Sequence, residues 1–338
     1  MNKNVIIAST GMYHPKRQVG NDFFIDHFTQ MDEELGEKVA GLLEKVGRIN
    51  RYLADFPKEN VITMSVAASR SAIEAAGIDV SELDGIVFAT ETPEYTTPTN
   101  AVMLNDALEA TNAHVVYDMN ANCIGMVAAL DQVQAIMKVN QRLNKVLVVG
   151  STMAHHYGLK TSPITYANIG DAAVAVLLEK VEAEHSVGFI DALYCTKTAE
   201  KDSVLMPACG MSYLFDPDVP EEDKRLIWHG FDPEEPENRC VEMMKGLLQE
   251  NGCELNQVKR IFFNQLNQSM IESVADKLGY PFERFKYVGD QYGYTGLTSL
   301  FLAYYHAVQE GELQTGDVVV FCSIGAGITA AASLYVVA

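Results

Sequence analysis

The sequence predicts an α/β protein whose sheets are buried on both faces, and three observations carry that reading. Runs that are mostly apolar, at residues 83–90, 146–150, 260–263 and 318–322, alternate with longer stretches whose apolar residues recur at helical spacing. A sheet covered by helices on both sides needs strands of that kind, since neither face meets water. The chain of 338 residues, 48% of them hydrophobic, is long enough to bury a large core in two domains or two fused halves. The order of elements also repeats. In the first half the run 83–90 is followed by a helix, and 146–150 leads through a loop to a buried strand after Gly170; in the second, 260–263 is followed by a helix, and 318–322 leads through a glycine turn to the last strand. Two similar halves, residues 1–180 and 181–338, explain the repeat, with chance likeness among apolar strands as the competing explanation.

In chain order, residues 5–10 form a strand that ends at Gly11, and 21–28 open a mixed polar and apolar stretch whose acidic run Asp32-Glu33-Glu34 belongs to a solvated face. Arg48 and Arg51 follow Gly47 and precede a helix at 61–76, closed by Gly77, the residue type best suited to a left-handed C-terminal position. The strand 83–90 delivers Glu91 at its end. A proline-bearing loop, 92–98, leads to a helix at 100–108, then a strand at 114–117, Cys123 and a helix at 126–137. After the strand 146–150, the segment 151–168 holds His155 and His156, and Gly170-Asp171 turns into a buried strand reaching 178. Two adjacent side chains of an extended segment point opposite ways, so the histidine pair reads as structural or surface. Residues 206–238, rich in proline and acid and holding the sole tryptophan, Trp228, read as a surface insertion. A helix at 239–251, the strand 260–263, the polar turn Asn264-Gln265-Leu266-Asn267 and a helix at 269–278 follow. The turn Tyr292-Gly293-Tyr294-Thr295-Gly296 opens a helix through 308. The strand 318–322 ends in Gly325-Ala326-Gly327, and 328–337 is the last strand.

The formal charge of −20 argues against nucleic acid or an anionic membrane as partner, because phosphate contacts need clustered lysine and arginine. Polar residues follow Met1, and no apolar run has the length of a signal peptide or a membrane span, which predicts a cytoplasmic protein. The six cysteines show neither CxxC spacing nor histidines at zinc-ligand spacing, so no metal or redox cofactor is expected.

Cys123 stands out by context. It lies where a strand turns into a helix, in Asp118-Met119-Asn120-Ala121-Asn122-Cys123-Ile124-Gly125-Met126. The free amides and dipole of a helix's first turn favour a negative charge, and the thiolate is the attacking form of cysteine, so this position predicts a nucleophile with a lowered pKa. The alternative is a small buried residue that only fills the helix start.

The order of motifs resembles the ketoacyl-acyl-carrier-protein synthase III branch of the thiolase superfamily over nearly the whole chain. The matching segments are Thr10-Gly11, Gly47-Arg48-Ile49, Val87-Phe88-Ala89-Thr90, Asn120-Ala121-Asn122-Cys123-Ile124-Gly125, Val148-Val149-Gly150-Ser151, Gly170-Asp171-Ala172-Ala173 and Gly325-Ala326-Gly327-Ile328-Thr329. The resemblance implies a thiolase-like five-layered αβαβα fold of two similar halves, a homodimer, and a cysteine that accepts an acyl group from acyl-coenzyme A, with acyl carrier protein as a further partner. It also implies an oxyanion hole formed by the amides of Cys123 and Ala326.

Two positions depart from the family pattern. Asn264-Gln265-Leu266-Asn267 stands where the synthases carry His-Gln-x-Asn, and Gly293-Tyr294-Thr295 where they carry Gly-Asn-Thr. In the family that histidine and asparagine hold the malonyl carbonyl oxygen as carbon dioxide leaves. Asn264 and Tyr294 can each donate a hydrogen bond there, but neither acts as a base near neutral pH. Glu91 resembles the catalytic glutamate of hydroxymethylglutaryl-coenzyme A synthases, and a buried carboxylate beside an apolar tunnel has a raised pKa suited to moving protons; its alternative is a solvated loop or cap residue. The synthases also stack the coenzyme A adenine on a tryptophan after residue 30, and none occurs here before Trp228.

Three functions are therefore weighed. The first is an acyltransferase that takes an acyl group from acyl-coenzyme A onto Cys123 and passes it to malonyl-acyl carrier protein or another acceptor, with a hydroxymethylglutaryl-coenzyme A synthase-like condensing enzyme that uses Glu91 as an alternative to it. The second is a non-catalytic or half-catalytic partner subunit in a heterodimer with a complete synthase. The third is a thioester-binding protein without covalent chemistry.

Overall fold

In the computed structural model, residues 2–230 and 232–338 are described; Met1 and Phe231, the latter within the 206–238 insertion, lie outside it. Strand β1 (Asn2–Tyr13) and the hairpin strand β2 (Arg17–Gly20) lead into two helices, α1 (Asn21–Met31) and α2 (Glu33–Lys45), where the sequence shows only a mixed stretch. These helices form because Phe24 and Phe28, then Val39 and Leu43, stand four apart and bury together over the hairpin that β3 (Asn50–Leu53) closes. Asp32 accepts from the Leu35 amide, so the acidic run is also a capped helix start.

Helix α3 (Val61–Ala76) keeps the expected bounds, between an Asn60 cap and a left-handed Gly77. Next come β4 (Gly85–Ala89), α4 (Asn100–Leu108), β5 (Val115–Met119), α5 (Gly125–Val139), β6 (Lys145–Thr152), the short helices α6 (Ala154–Tyr157) and α7 (Pro163–Ala167), and β7 (Ala172–Ala183). Strand β8 (Gly188–Glu200) is absent from the sequence-based expectation. It lies at a sheet edge and is exposed over its second half, so it carries no apolar run. A two-stranded ribbon, β9 (Val204–Leu205) with β10 (Ile227–Trp228), lies in and beside the insertion. The chain ends with α8 (Glu234–Glu250), β11 (Val258–Phe263), α9 (Gln268–Leu278), α10 (Gly289–Tyr292), α11 (Ser299–Gln309), β12 (Val318–Gly325) and β13 (Gly327–Val336). The helix expected from the 292–296 turn starts only at Ser299, because Gly293 and Gly296 take positive φ of 72° and 54°.

One sheet has the order β1-β7-β6-β4-β5 and the other β11-β12-β13-β8. Alternate residues of each strand face opposite layers. Val87 and Ala89 of β4 face the same central core as Phe262 of β11 and Val319 and Phe321 of β12, together with residues of α5 and α11. Ile86 and Phe88 face outward onto α3 and α4, and Ile261, Phe263 and Val320 face outward onto α8 and α9. The layers therefore run α3/α4, first sheet, α5/α11, second sheet, α8/α9, which is the five-layered αβαβα thiolase-like arrangement. Among the described residues no helix is long and apolar enough to cross a membrane.

Arg48, buried to 2% exposure, ties the halves together. It donates to Asn168 Oδ1 at 2.7 Å, the Tyr287 hydroxyl at 2.7 Å, and the carbonyls of Gln265 at 2.7 Å and Leu266 at 2.6 Å. Arg48→Met would leave these buried acceptors without a donor, at about 1–3 kcal/mol each where nothing replaces it. We expect a loss of on the order of 3 kcal/mol or more, read as a fall in the denaturant midpoint.

Candidate active site

Parallel register assembles the site. β4 pairs with β5 so that Ala89 stands opposite Met119, and β11 pairs with β12 so that Phe263 stands opposite Cys322. Residues just beyond β4 and β11 emerge together: Glu91 beside the turn bearing Cys123, and Asn264 beside Ser323 near the end of β12. This is the crevice beyond the carboxyl ends of parallel strands where α/β proteins hold ligands.

The turn is built tightly. Asn122 takes a positive φ of 51°, uncommon for a residue with a side chain, and its amide donates to Asn120 Oδ1 at 3.0 Å. Cys123 follows in the single 3₁₀ turn before α5. From the second half, Ser323 Oγ donates to the Cys123 carbonyl at 2.8 Å. A Cβ placed on Gly325 would stand 3.3 Å from the Cys123 nitrogen, so the 325–327 turn runs against Cys123, and Ala326 lines the same cavity.

Cys123 Sγ lies 3.8 Å from Glu91 Oε2. Loss of solvation pushes the Glu91 carboxyl up to about 7; the hydrogen bond from the Cys123 thiol opposes the shift but is the smaller effect. Burial, then the facing Glu91 charge, also pushes the Cys123 thiol well above its ordinary range. The helix-start argument predicts the reverse. A dipole worth about 1 kcal/mol is outweighed by desolvation and a facing carboxylate. At neutral pH the thiol keeps its proton and Glu91, half titrated, is the group that can take it.

Tyr294 and Asn264 act in series. Asn264 Oδ1 accepts from the Leu266 amide at 3.0 Å, which orients its amide. Its nitrogen then lies within bonding distance of the Tyr294 hydroxyl oxygen at 3.1 Å, Ser323 Oγ at 3.2 Å and the Ile324 carbonyl at 3.2 Å. Asn264 is 1% exposed and lies behind the cavity wall, so it positions Tyr294 and does not itself face a ligand, in contrast to the expected direct donor. Because the Tyr294 oxygen accepts from Asn264, its proton is free to point at Cys123, where it favours the thiolate. Tyr294→Phe is expected to slow acylation of Cys123 by on the order of tenfold to a hundredfold and to leave in place the rise with pH that Glu91 sets. Stopped-flow uptake of an acyl thioester across pH 6–9 reads both effects.

The cavity around these groups has about 140 Å³ of space. Met206, Leu226 and Trp228 of the insertion line it, and the Trp228 ring lies 6.1 Å from that of Tyr294. The insertion is thus not only a surface feature. These three residues and Ser323 are the participants that the sequence reading misses; a polar residue directly after an apolar strand was the available sign for Ser323. No histidine lines this cavity among the described residues. His155 stacks on Tyr166 at 5.1 Å and, with His156, lines a different cavity. No group of three or more metal-ligating side chains occurs among the described residues.

Two family models match the chain. One, described as 3-oxoacyl-[acyl-carrier-protein (ACP)] synthase III, matches residues 117–197, and the other, its C-terminal part, matches residues 248–337. Together they span half of the chain. The chain belongs to the 3-oxoacyl-acyl-carrier-protein synthase III family. It is 28% identical over 330 residues to the beta-ketoacyl-[acyl-carrier-protein] synthase III of Wolbachia pipientis wMel, covering 97% of this chain and 98% of that protein. It is also 28% identical over 332 residues to the synthase of the same name from Solibacter usitatus, covering 97% of each. In fold it is similar to the crystal structure of 3-oxoacyl-(acyl carrier protein) synthase III from Pseudomonas aeruginosa PAO1, with a TM-score of 0.86, 21% identity and coverage of 99% and 98% of the two chains. Like its family of condensing acyltransferases, this synthase III member is an enzyme; within it, Asn264 and Tyr294 stand where the resemblance expects histidine and asparagine.

Proposed function

We propose that the protein is an acyltransferase in which Cys123 takes an acyl group from acyl-coenzyme A and hands it to malonyl-acyl carrier protein or another thioester acceptor. The observation that carries this reading is the Cys123–Glu91 pair, 3.8 Å apart and lining one cavity. The Glu91 carboxylate takes the thiol proton as sulfur attacks the thioester carbonyl, and the amides of Cys123 and Ala326 hold the tetrahedral oxyanion. Collapse expels the coenzyme A thiolate, which takes the proton back from Glu91. Both halves, residues 1–180 and 181–338, supply walls of the site, and no cofactor takes part. The chain works as a cytoplasmic homodimer in this reading, and the intact nucleophile disfavours a non-catalytic partner subunit.

A second reading concerns the acceptor. Loss of carbon dioxide from malonyl needs donors at the developing enolate. The Asn264 amide is engaged behind the wall, which leaves Tyr294 alone, whereas Glu91 is placed to remove an α-proton from a thioester that has no carboxylate to lose. That enolate attacks the Cys123 thioester, releases the thiolate and yields a β-keto thioester, as in the Glu91-dependent alternative.

Intact-protein mass spectrometry with a panel of acyl-coenzyme A donors tests the first half, and absence of an adduct with every donor would overturn it. Adding labelled malonyl-acyl carrier protein or a second acyl-coenzyme A to the acyl-enzyme tests the acceptor: carbon dioxide release assigns the malonyl route, and product without release assigns the proton-abstraction route.

A further inference from the structure

Beside the reactive cavity lies a second one of about 1070 Å³, whose lining is unlike the rest of this acidic chain. Lys16, Arg17, Lys58, Lys160 and Arg225 reach its wall against two carboxylates, Asp55 and Glu59, in a protein of net charge −20. Both carboxylates are already engaged. Asp55 pairs with Lys58 at 2.9 Å, and Glu59 accepts from the Tyr13 hydroxyl at 2.6 Å and the Asp55 amide at 2.8 Å. Arg17 lies over the Phe23 ring at 5.2 Å and Arg225 donates to the His156 carbonyl at 3.3 Å. Among the described residues neither arginine, nor Lys16 or Lys160, pairs with a carboxylate. Cations gathered in one concavity repel one another, and a bound anion offsets that repulsion. Phe56, 46% exposed, packs one face on the His156 ring at 4.1 Å and offers the other to a planar ring.

We propose that this cavity binds a nucleotide-like ligand with two or more phosphates, the phosphates on Arg17, Lys160 and Arg225 and the base on Phe56. The opening that shares Trp228 and Leu266 with the reactive cavity is lined by residues such as Leu42, Val46, Ile164 and Met270 and by no cation among the described residues, so it offers phosphates no charged partner. The two cavities share a wall made of two segments. Ala154 and Leu226 face the reactive cavity, and their chain neighbours His155 and Arg225 face the second. The Leu226 amide donates to the Tyr157 carbonyl at 2.9 Å, joining the segments. A phosphate on Arg225 therefore bears on Leu226 and, two residues on, Trp228.

The two cavities stand on opposite sides of this wall, so the ligand is taken to be a free nucleotide and not the donor's coenzyme A, and calorimetry on the full chain separates them. The probes are coenzyme A, adenosine 3′,5′-bisphosphate, ADP and pyrophosphate, each at low and raised salt. Binding is expected to weaken with salt, and Arg17→Gln with Lys160→Gln is expected to weaken it by about tenfold or more. The double variant is expected to keep the thermal midpoint and the acyl uptake from a short thioester that lacks phosphates. Phe56→Ala is expected to weaken ADP and leave pyrophosphate unchanged. ADP binding at least as tightly as coenzyme A and adenosine 3′,5′-bisphosphate is expected of a free-nucleotide site; tighter binding of those two would overturn it by assigning the carrier's phosphorylated end. No binding of any probe, or binding indifferent to the double substitution, would overturn the proposal whatever the chemistry at Cys123.

Discussion

Cys123→Ala will take up no acyl group from any donor, and turnover will fall to background. The other cysteines cannot substitute: Cys240 and Cys322 are buried in the outer core of the second half, and none of the remaining three lines the reactive cavity. The substitution removes one sulfur atom from a half-buried position that opens onto a cavity, so unfolding should be little changed. Intact mass with wild type and variant in parallel reads the result. An acyl mass that persists on the variant would show that the nucleophile lies elsewhere.

Glu91→Gln will slow acylation by about 10²–10⁴, the usual contribution of a positioned base. The pH profile carries the sharper sign. With its carboxyl pushed up to about 7, wild-type Glu91 gains its capacity to accept a proton as pH rises through that value, so the rate climbs across pH 6–8 and then levels. The glutamine variant loses this rise. Stability moves the opposite way. Below the ordinary value of 4.5 Glu91 is neutral in both folded and unfolded chains; between there and about 7 only the unfolded chain ionises, and folding loses stability. Asp171, pushed up to about 7 by burial, adds to the same window. The wild type should thus lose up to about 3 kcal/mol per group on going from pH 4.5 to pH 8, and Glu91→Gln should be the more stable protein at pH 8 while being the poorer catalyst. Equilibrium denaturation at the two pH values checks this, and a variant no more stable than wild type at pH 8 would mean that Glu91 is better solvated than its place in the cavity implies.

The Glu91–Gly296 contact shows how closely this carboxylate is held. A Cβ on Gly296 would stand 2.5 Å from Glu91 Oε1, at a backbone φ of 54° that side chains rarely adopt. Only glycine lets the second half approach the carboxylate this closely.

Local composition alone determined the alternation of buried strands and helices, because a strand covered on both faces must be apolar throughout; α3 and α4 were legible to the residue from their periodicity and Gly77. The candidate nucleophile was legible too, since a strand-to-helix junction is a local feature, and so was the loss of the family's histidine and asparagine. Strand β8 and helices α1 and α2 were not, because their burial is one-sided and depends on what covers them. The chemistry of Cys123 was decided by tertiary structure. Glu91 is 32 residues away and is brought to the sulfur by parallel register, and Tyr294 lies in the other half, its backbone held by hydrogen bonds to Asn168 and Gly170. A helix dipole can be read from sequence neighbours; desolvation and a facing charge arise only when distant segments close around the group, and here they reverse the sign of the shift.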